Sequence, residues 1–279
     1  MWRSERILLA FVCGCLQCLF EVNALELPRS IGPVSQSLGG ISASHTDPFV
    51  LFNQPAIMGL NQSRLALAFQ SRYFMEGMNR MALVLQPNLK SKYKVGLGIL
   101  YFGNGYYNEQ CYKIAVSRAF SENFSAGIGT GVFSVRFPER KSLIKGILNA
   151  GISIKFNSKL QSSVNISNVL YPQISRYQNE RFPLQIQSGL GYKFSKNGIV
   201  FLQHSDQIPG NGSSTIGCEL IANNTLVIRV GYSLQKRNAA LGISFKKAGV
   251  NWHLAFQWHP YLGSVSDAAV SFTDLKWKI

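Results

Sequence analysis

The sequence predicts an all-β protein, a transmembrane antiparallel β-barrel of about fourteen strands with an N-terminal hatch segment inside its lumen. Two observations predict this fold. After residue 63, most of the chain alternates between apolar residues and polar or small ones. The alternating stretches run for roughly ten residues, the length that a tilted strand needs to cross a bilayer, whereas strands of globular proteins average about five or six.

Residues 1–24 have the pattern of a cleaved signal peptide. A short charged start precedes an apolar stretch from Ile7 to Phe20, and Ala24 offers a cleavage point. The apolar stretch is shorter than the roughly 18 residues of a spanning helix, which argues against a membrane anchor. Lipidation at Cys15 is the other alternative, but the apolar stretch continues past this cysteine. The mature protein is therefore expected to be exported.

Residues 25–63 are predicted to form the hatch. The stretch HTDPFVLFNQPAIMGL, residues 45–60, is rich in apolar residues but is broken by Pro48 and Pro55, which exclude a long helix. Its apolar side chains need burial, and the inside of a barrel would provide it. A flexible tail is the alternative, but it would leave Phe49, Phe52 and Ile57 in water.

Residues 64–279 are predicted to form the barrel. The clearest strand is 225–234, where Leu226, Ile228 and Val230 alternate with polar or small residues. In the last strand the apolar positions change phase after Thr273, which predicts a bulge or an end there. Loops longer than a turn are predicted at 138–146, 172–181, 207–212 and 260–267. The predicted strands are 64–74, 79–88, 93–104, 107–120, 124–137, 147–158, 161–171, 182–194, 197–206, 213–223, 225–234, 239–247, 250–259 and 268–278.

The residues of strand 250–259 favour a membrane barrel over a soluble β-sandwich, which is the alternative. Trp252 and Trp258 share one face, and six residues of strand separate them by about 20 Å. Aromatic girdles flank the apolar band of a transmembrane barrel at about this spacing, so both are candidates for a girdle. Lys193, Arg229 and His253 fall on the opposite face and are the candidate lumen-facing residues.

The formal net charge of +15 calls for an anionic partner or surface. The lysines and arginines are scattered singly or in pairs, without the cluster of five to eight that marks a nucleic-acid site, so no nucleic-acid partner is predicted. Outer-membrane lipid is the better candidate. Glycines spaced two apart, as at Gly127, Gly129 and Gly131, lie inside strands and therefore predict room inside the barrel rather than a nucleotide-binding loop.

Neither an enzyme nor a cofactor or metal site is predicted. His204, Ser205 and Asp206 are consecutive, but neighbours on a strand point to opposite faces, so His204 and Ser205 cannot form a nucleophile and base pair within a strand. His253 and His259 lack the surrounding ligands of a metal centre. Cys111 and Cys218 would be the only cysteines of the mature chain, and the sequence leaves open whether they pair.

Two short regions carry a resemblance to a known family. In the predicted hatch the residues are Gly39, Gly40, Asp47, Asn53, Gln54, Pro55 and Ala56, and near the C-terminus they are His259-Pro260-Tyr261-Leu262-Gly263 and Val270-Ser271-Phe272. These stretches resemble the PorV/PorQ family of outer-membrane proteins, relatives of the FadL-type transporters, whose barrels have fourteen strands and an N-terminal hatch. Gln54 departs from the family, which has an asparagine before the proline.

The resemblance implies one of two functions in the outer membrane of a Gram-negative bacterium. The first is an accessory role in type IX protein secretion, with other secretion proteins or cargo as partners. The alternative is a FadL-like channel for uptake of hydrophobic small molecules, which would bind a hydrophobic ligand. The polar residues expected on the lumen face favour the secretion role, because a channel of the second kind needs a continuous apolar path.

Overall fold

The computed structural model describes residues 30–60, 65–87, 89, 91–138, 140–174 and 181–273. The predicted signal peptide and the phase change predicted beyond Thr273 lie outside these residues. Two short α-helices come first, α1 (Pro33–Ser37) and α2 (Val50–Asn53), followed by a 3₁₀ helix (Pro55–Leu60). None of the described helices is long and apolar enough to cross a bilayer.

Within the described residues, fourteen antiparallel strands close into one barrel, which confirms the predicted fold. Each strand pairs with its neighbours in sequence, and β14 pairs back with β1, with Leu65 opposite Phe272. The strands are β1 (Leu65–Arg72), β2 (Asn79–Leu85), β3 (Tyr93–Gly103), β4 (Asn108–Ala119), β5 (Phe124–Phe137), β6 (Arg140–Lys155), β7 (Leu160–Ser167), β8 (Leu184–Lys193), β9 (Gly198–Ile208), β10 (Ser213–Ile221), β11 (Leu226–Ser233), β12 (Asn238–Lys247), β13 (Val250–His259) and β14 (Gly263–Phe272).

The barrel has two distinct ends. The terminus end is the one at which β1 starts and β14 finishes, and the opposite one is the far end. All hairpin connections at the terminus end are short, whereas the far end holds the longest connection of the barrel, 168–183 between β7 and β8. These two names are used below to place each cavity.

Two predicted loops are wrong. Residues 138–146 belong mostly to β6, and 260–267 mostly to β14. Charged residues at the start of β6 interrupt its alternation of apolar and polar residues. In β14 the alternation is also lost, because its outward residues are small and Asp267 points inwards. Asp267 accepts a hydrogen bond from Gln70 at 3.1 Å inside the barrel, so it is a lumen residue of a strand rather than part of a loop.

The outer face of the barrel is a belt of apolar side chains. Leu97, Ile128, Leu202, Leu241 and Leu254 are about half exposed, at 48–53%, as expected of side chains that would contact lipid. Trp252 and Trp258 also lie outside, near opposite ends of β13, with exposures of 58% and 51%. Their assignment to an aromatic girdle stays a prediction.

Candidate functional site

The interior segment, residues 30–60, lies inside the barrel. Leu38, Ile41, Phe49, Leu51 and Ile57 have no exposed surface. Helix α1 contacts β11–β14, whereas α2 and the 3₁₀ helix contact strands from β3 to β6. The segment therefore spans the lumen from one side of the wall to the other, and its apolar side chains are removed from water.

Asp47 is the centre of a hydrogen-bond network within the interior segment. Its carboxylate accepts the Phe49 N–H at 2.6 Å, the Asn53 side-chain amide at 2.9 Å and the Ser35 hydroxyl. Asn53 in turn bonds both backbone groups of Ile31, at 2.9 and 2.8 Å. Burial raises the pKa of the Asp47 carboxyl, and its hydrogen bonds oppose that shift. Two predicted hatch residues, Asp47 and Asn53, thus meet directly.

The other predicted hatch residues contact the barrel wall. The Gln54 side-chain amide donates to the Val164 carbonyl at 3.0 Å. A Cβ added at Gly127 would lie 2.5 Å from the Pro55 carbonyl carbon and 2.6 Å from the Ala56 nitrogen. The wall glycines therefore let the backbone of the interior segment approach the strands closely.

Gly39 and Gly40 lie at the turn after α1, against β11. Both have positive φ, +74° and +99°, which favours glycine. A Cβ added to the facing Gly231 would lie 2.0 Å from the carbonyl carbon of Leu38 and 2.4 Å from the nitrogen of Gly39. This contact brings two backbones together with no side chain between them, and it fixes where the α1 turn can lie.

One side of the lumen, formed by β8–β14, is polar. His45 of the interior segment contacts Glu219 at 2.9 Å, and Glu219 accepts from Arg229 at 2.6 Å. Arg229 donates to Ser244 at 2.6 Å, and Ser244 contacts His253 at 2.7 Å. The lumen-facing candidates Arg229 and His253 are therefore joined in one buried network that also holds the interior segment.

Lys193, the third lumen-facing candidate, is not part of that network. It lies at the last residue of β8, is exposed, and lines a cavity of about 450 Å³ at the terminus end. The cavity is bounded by the turn between β6 and β7 and by residues 44–46 of the interior segment. Lys193 thus faces the mouth of the lumen rather than its centre.

The opposite side of the lumen, formed by β1–β6, contains an apolar cluster beside polar residues such as Gln70 and Lys113, whereas only polar residues were noted on the lumen face from the sequence. Val84, Leu100, Phe133, Val135 and Ile147 are buried there with the apolar side chains of the interior segment. Phe182, which precedes β8, packs its ring against Phe133 edge to face, with centroids 4.9 Å apart. Below, the side with this apolar cluster is called the apolar half of the lumen, and the β8–β14 side is called the polar half.

A small cavity of about 50 Å³ lies between the interior segment and this apolar half. Ile31, Phe52, Leu100 and Ile147 line it, together with Lys113 and other polar side chains. The Lys113 ammonium donates to the Phe52 carbonyl at 3.2 Å and lies near the Phe52 ring. The cavity thus has apolar side chains on one part of its wall, amide side chains such as Asn149 and Gln187 on another, and one buried cation.

The barrel wall next to this cavity is incompletely paired. Strand β6 pairs with β7 only over 150–155, so among the described residues its far half has no ladder partner on that side. Asn168 and Val169, which follow β7, lie there, and the Val169 N–H donates to the Leu148 carbonyl at 2.8 Å. Strand β5 also shifts register between Val135 and Phe137. Rearrangement of the wall at this position would therefore break few ladder hydrogen bonds.

The structure separates Ser205 from the other two residues weighed above for catalysis, His204 and Asp206. Ser205 faces the lumen, while His204 lies outside, where it contacts Ser214 at 2.9 Å and Asp206 at 3.2 Å. This set has the residue types of a hydrolytic triad, but the backbone N–H of Ser214, the usual donor to an oxyanion, already donates to Gln235 at 2.6 Å. The side chains of His204 and Asp206 are about half exposed.

The remaining candidates for chemistry do not come together. The two described cysteines are free, with Cys111 buried in the lumen and Cys218 on the other face of its strand. Among the described residues, no group of three or more His, Cys, Asp or Glu side chains could hold a metal ion. His253 and His259 belong to different surroundings, the first in the polar network and the second beside Tyr73.

The apolar half of the lumen was not predicted from the sequence. Strands with an apolar lumen face do not alternate between apolar and polar residues, so the pattern that marks the inward face is absent. In β2 the run Met81-Ala82-Leu83-Val84-Leu85 is apolar on both faces, as expected where one face meets lipid and the other meets the interior segment. Such continuous runs also occur in buried strands of soluble proteins. Only the closed barrel shows which of the two faces points inwards.

Three solved structures, of a hydrocarbon channel, a toluene transporter and a FadL homologue, are similar to this chain. The CymD monoaromatic hydrocarbon channel has a TM-score of 0.66 and 14% identity, over 88% of this chain and 97% of that chain. The toluene transporter TodX of Pseudomonas putida has a TM-score of 0.67 and 11% identity, over 90% and 98%. A FadL homologue of Pseudomonas aeruginosa has a TM-score of 0.62 and 10% identity, over 89% and 99%.

Sequence comparison adds nothing to these structural similarities: no protein-family model and no curated protein matches the chain. The identities to the solved structures are too low to carry over a function or a site. They show a shared architecture, a closed barrel that is matched over nearly the whole length of each channel. The chain therefore has the fold of the FadL-like hydrocarbon channels.

Proposed function

We propose that this protein is an outer-membrane channel for the uptake of hydrophobic small molecules of about the size of a monoaromatic hydrocarbon. The observation that carries the proposal is the apolar half of the lumen. A hydrophobic solute needs a continuous apolar surface to leave water and to pass a barrel that is otherwise polar inside. The solved channels with this fold, described as monoaromatic hydrocarbon channels and toluene transporters, support the same solute class.

The proposed route begins at the far end. Tyr107 and Phe137 pack against each other there, with ring centroids 5.4 Å apart, and both border the buried apolar cluster. Below them lie Phe133 and Phe182, and then the cavity beside Leu100. Because the far end carries the longest connection, we take it as the outer side, where barrels have their longer loops.

Passage requires a side chain or the interior segment to move. The cavity volume of about 50 Å³ is well below the roughly 150 Å³ of an apolar cavity that holds benzene. Phe182 and the incompletely paired stretch of β6 border the route and are the elements best placed to move. A solute that displaces them would reach the lipid-facing side of the wall without crossing the polar half of the lumen.

The secretion role implied by the PorV/PorQ resemblance receives no support from the structural comparisons. The predicted motif residues hold the interior segment together and against the wall, which a plug needs in either role. The hydrocarbon-type neighbours and the apolar half favour the channel. The secretion role stays a prediction, and its test is whether secreted or partner proteins co-purify with the intact barrel.

The channel proposal is tested by measuring uptake of radiolabelled toluene into Gram-negative cells that express the full chain, compared with cells that carry the empty vector. We expect faster uptake with the chain, and a return to the vector level with Leu100→Trp, because the indole would fill the cavity. Leu241→Trp is the matched control, since Leu241 faces outwards and is 52% exposed.

Folding of each variant is checked separately by electrophoresis with and without boiling, because a closed barrel migrates differently before and after heating. Uptake at the vector level by a properly folded wild-type barrel would contradict the proposal. Equal uptake by Leu100→Trp and the wild type would show that the route does not run beside Leu100.

A further inference from the structure

The cavity of about 450 Å³ at the terminus end has three lysines and Arg229 among the described residues that line it, and no free anion among them. Lys155 ends β6, Lys159 lies in the following turn, and Lys193 ends β8. None of these ammonium groups forms an ion pair or a hydrogen bond with another described residue. Glu219, the described carboxylate that lines the cavity, is already held by Arg229 and His45 at 2.6 and 2.9 Å.

These lysines converge from separate elements of the fold. Three like charges around one concave surface repel each other and raise the local potential, because the low-dielectric wall concentrates the field. A bound anion would relieve that repulsion, and a dianion would do so better than a monoanion. Lysine binds phosphate well as a point charge and needs no fixed fork geometry.

The rest of the lining suits the organic part of a phosphate ester. Leu160, Ile199 and Phe201 provide an apolar wall beside the lysines, while Asn157 and Gln161 provide polar side chains. Phe201 is 3% exposed and packs edge to face on His45, with centroids 5.0 Å apart. The apolar wall of the cavity is therefore supported by the interior segment.

We propose that this vestibule, the cavity lined by Lys155, Lys159 and Lys193, is a binding site for a phosphate group that carries a small organic substituent. The group has two chemical sources, a soluble organophosphate or the head group of an anionic phospholipid. The site lies at the terminus end, whereas the proposed hydrocarbon route begins at the far end, and the site does not depend on that route. Failure of the uptake experiment would therefore not contradict the phosphate site, and failure of phosphate binding would not contradict the hydrocarbon channel.

The test uses the full chain in nanodiscs of phosphatidylcholine, titrated with phenyl phosphate at constant ionic strength and followed by isothermal calorimetry. We expect saturable binding, weakened about tenfold or more by the triple variant K155Q/K159Q/K193Q. The matched control is K92Q/K246Q/K247Q, which removes the same charge from exposed lysines at the same end but outside the cavity, and it should bind as the wild type does.

Nanodiscs of phosphatidylglycerol distinguish the two sources. Competition by the head group would weaken phenyl phosphate binding to the wild type, whereas unchanged binding would assign the site to soluble organophosphates. Both results support the site. The proposal is overturned if phenyl phosphate fails to bind saturably in phosphatidylcholine, or if both triple variants weaken binding equally, because diffuse surface charge would then explain the effect.

Discussion

At the scale of single residues, the position of the interior segment depends on glycines in the barrel wall, which have no side chain to obstruct it. A Cβ added at Gly231 or Gly127 would lie 2.0 or 2.5 Å from the nearest backbone atom of the segment, which is too close for any side chain. The sequence indicated that such glycines leave room inside the barrel, and the structure shows what occupies that room. Which glycine meets which residue could not be predicted, because the register of the segment against the wall is not encoded in any local pattern.

Gly231→Ala should destabilise the docked interior segment by about 1–3 kcal/mol, since the backbone of Leu38 and Gly39 must move away from the new methyl group. The measurement is the denaturant midpoint at which the unboiled form loses its shifted mobility. Gly105→Ala is the control, because nothing lies within 4 Å of a Cβ at that position. Equal midpoints for the two variants would show that the close backbone contact is relaxed in solution.

The pair of Glu219 and Arg229 should show strong coupling. Glu219→Gln leaves the Arg229 guanidinium buried without its carboxylate, and breaking one partner of a buried pair costs about 3–5 kcal/mol. The double variant Glu219→Gln/Arg229→Gln should lose less than the sum of the two single variants, as measured by a double-mutant cycle of unfolding free energies. Additive losses would mean that water already screens the two charges.

At the scale of elements, alternation predicted most strands well and failed where one face carried an unusual residue. Strand β13 was predicted over 250–259 and is found there because its outward face is uniformly large and apolar. Strand β14 was placed too late, because its outward serines and inward Asp267 do not contrast in polarity. The polarity of a residue reports the face it occupies only when the two faces differ.

The connection between β7 and β8 should control access to the proposed route. Phe182→Ala removes the ring that packs on Phe133, and we expect toluene uptake to rise several-fold because the narrowest part of the route widens. Phe256→Ala, on the outer face at 46% exposure, removes a ring of the same size and should leave uptake unchanged. A rise with both variants would point to a general loosening of the wall.

The interior segment should close the lumen through the network around Asp47. Asp47→Ala removes the acceptor shared by Ser35, Phe49 and Asn53, and each buried donor left unpaired costs about 1–3 kcal/mol. Loosening of the segment should raise ion conductance in planar bilayers. Leu60→Ala, at a half-exposed position of the same segment, should not. Unchanged conductance in both would mean that the segment stays in place without this network.

At the scale of the whole molecule, the sequence predicted the closed barrel but not the division of its lumen. Closure follows from many strands of similar length with short turns. The division depends on which strands face each other across the barrel, and on where the interior segment places Phe49, Leu51 and Phe52 between them. Those contacts join residues far apart in sequence, so the polar residues of β8–β13 were wrongly taken to represent the whole lumen.

The central claim is that a hydrophobic solute binds in the apolar half of the lumen. It is tested most directly by diffusion of iodobenzene into crystals of the full chain and location of the iodine by its anomalous signal. The account predicts iodine beside Phe133, Phe182 and Leu100, with Phe182 displaced. Iodine that is confined to the outer lipid-facing surface, or that lies in the polar half near Arg229, would contradict it.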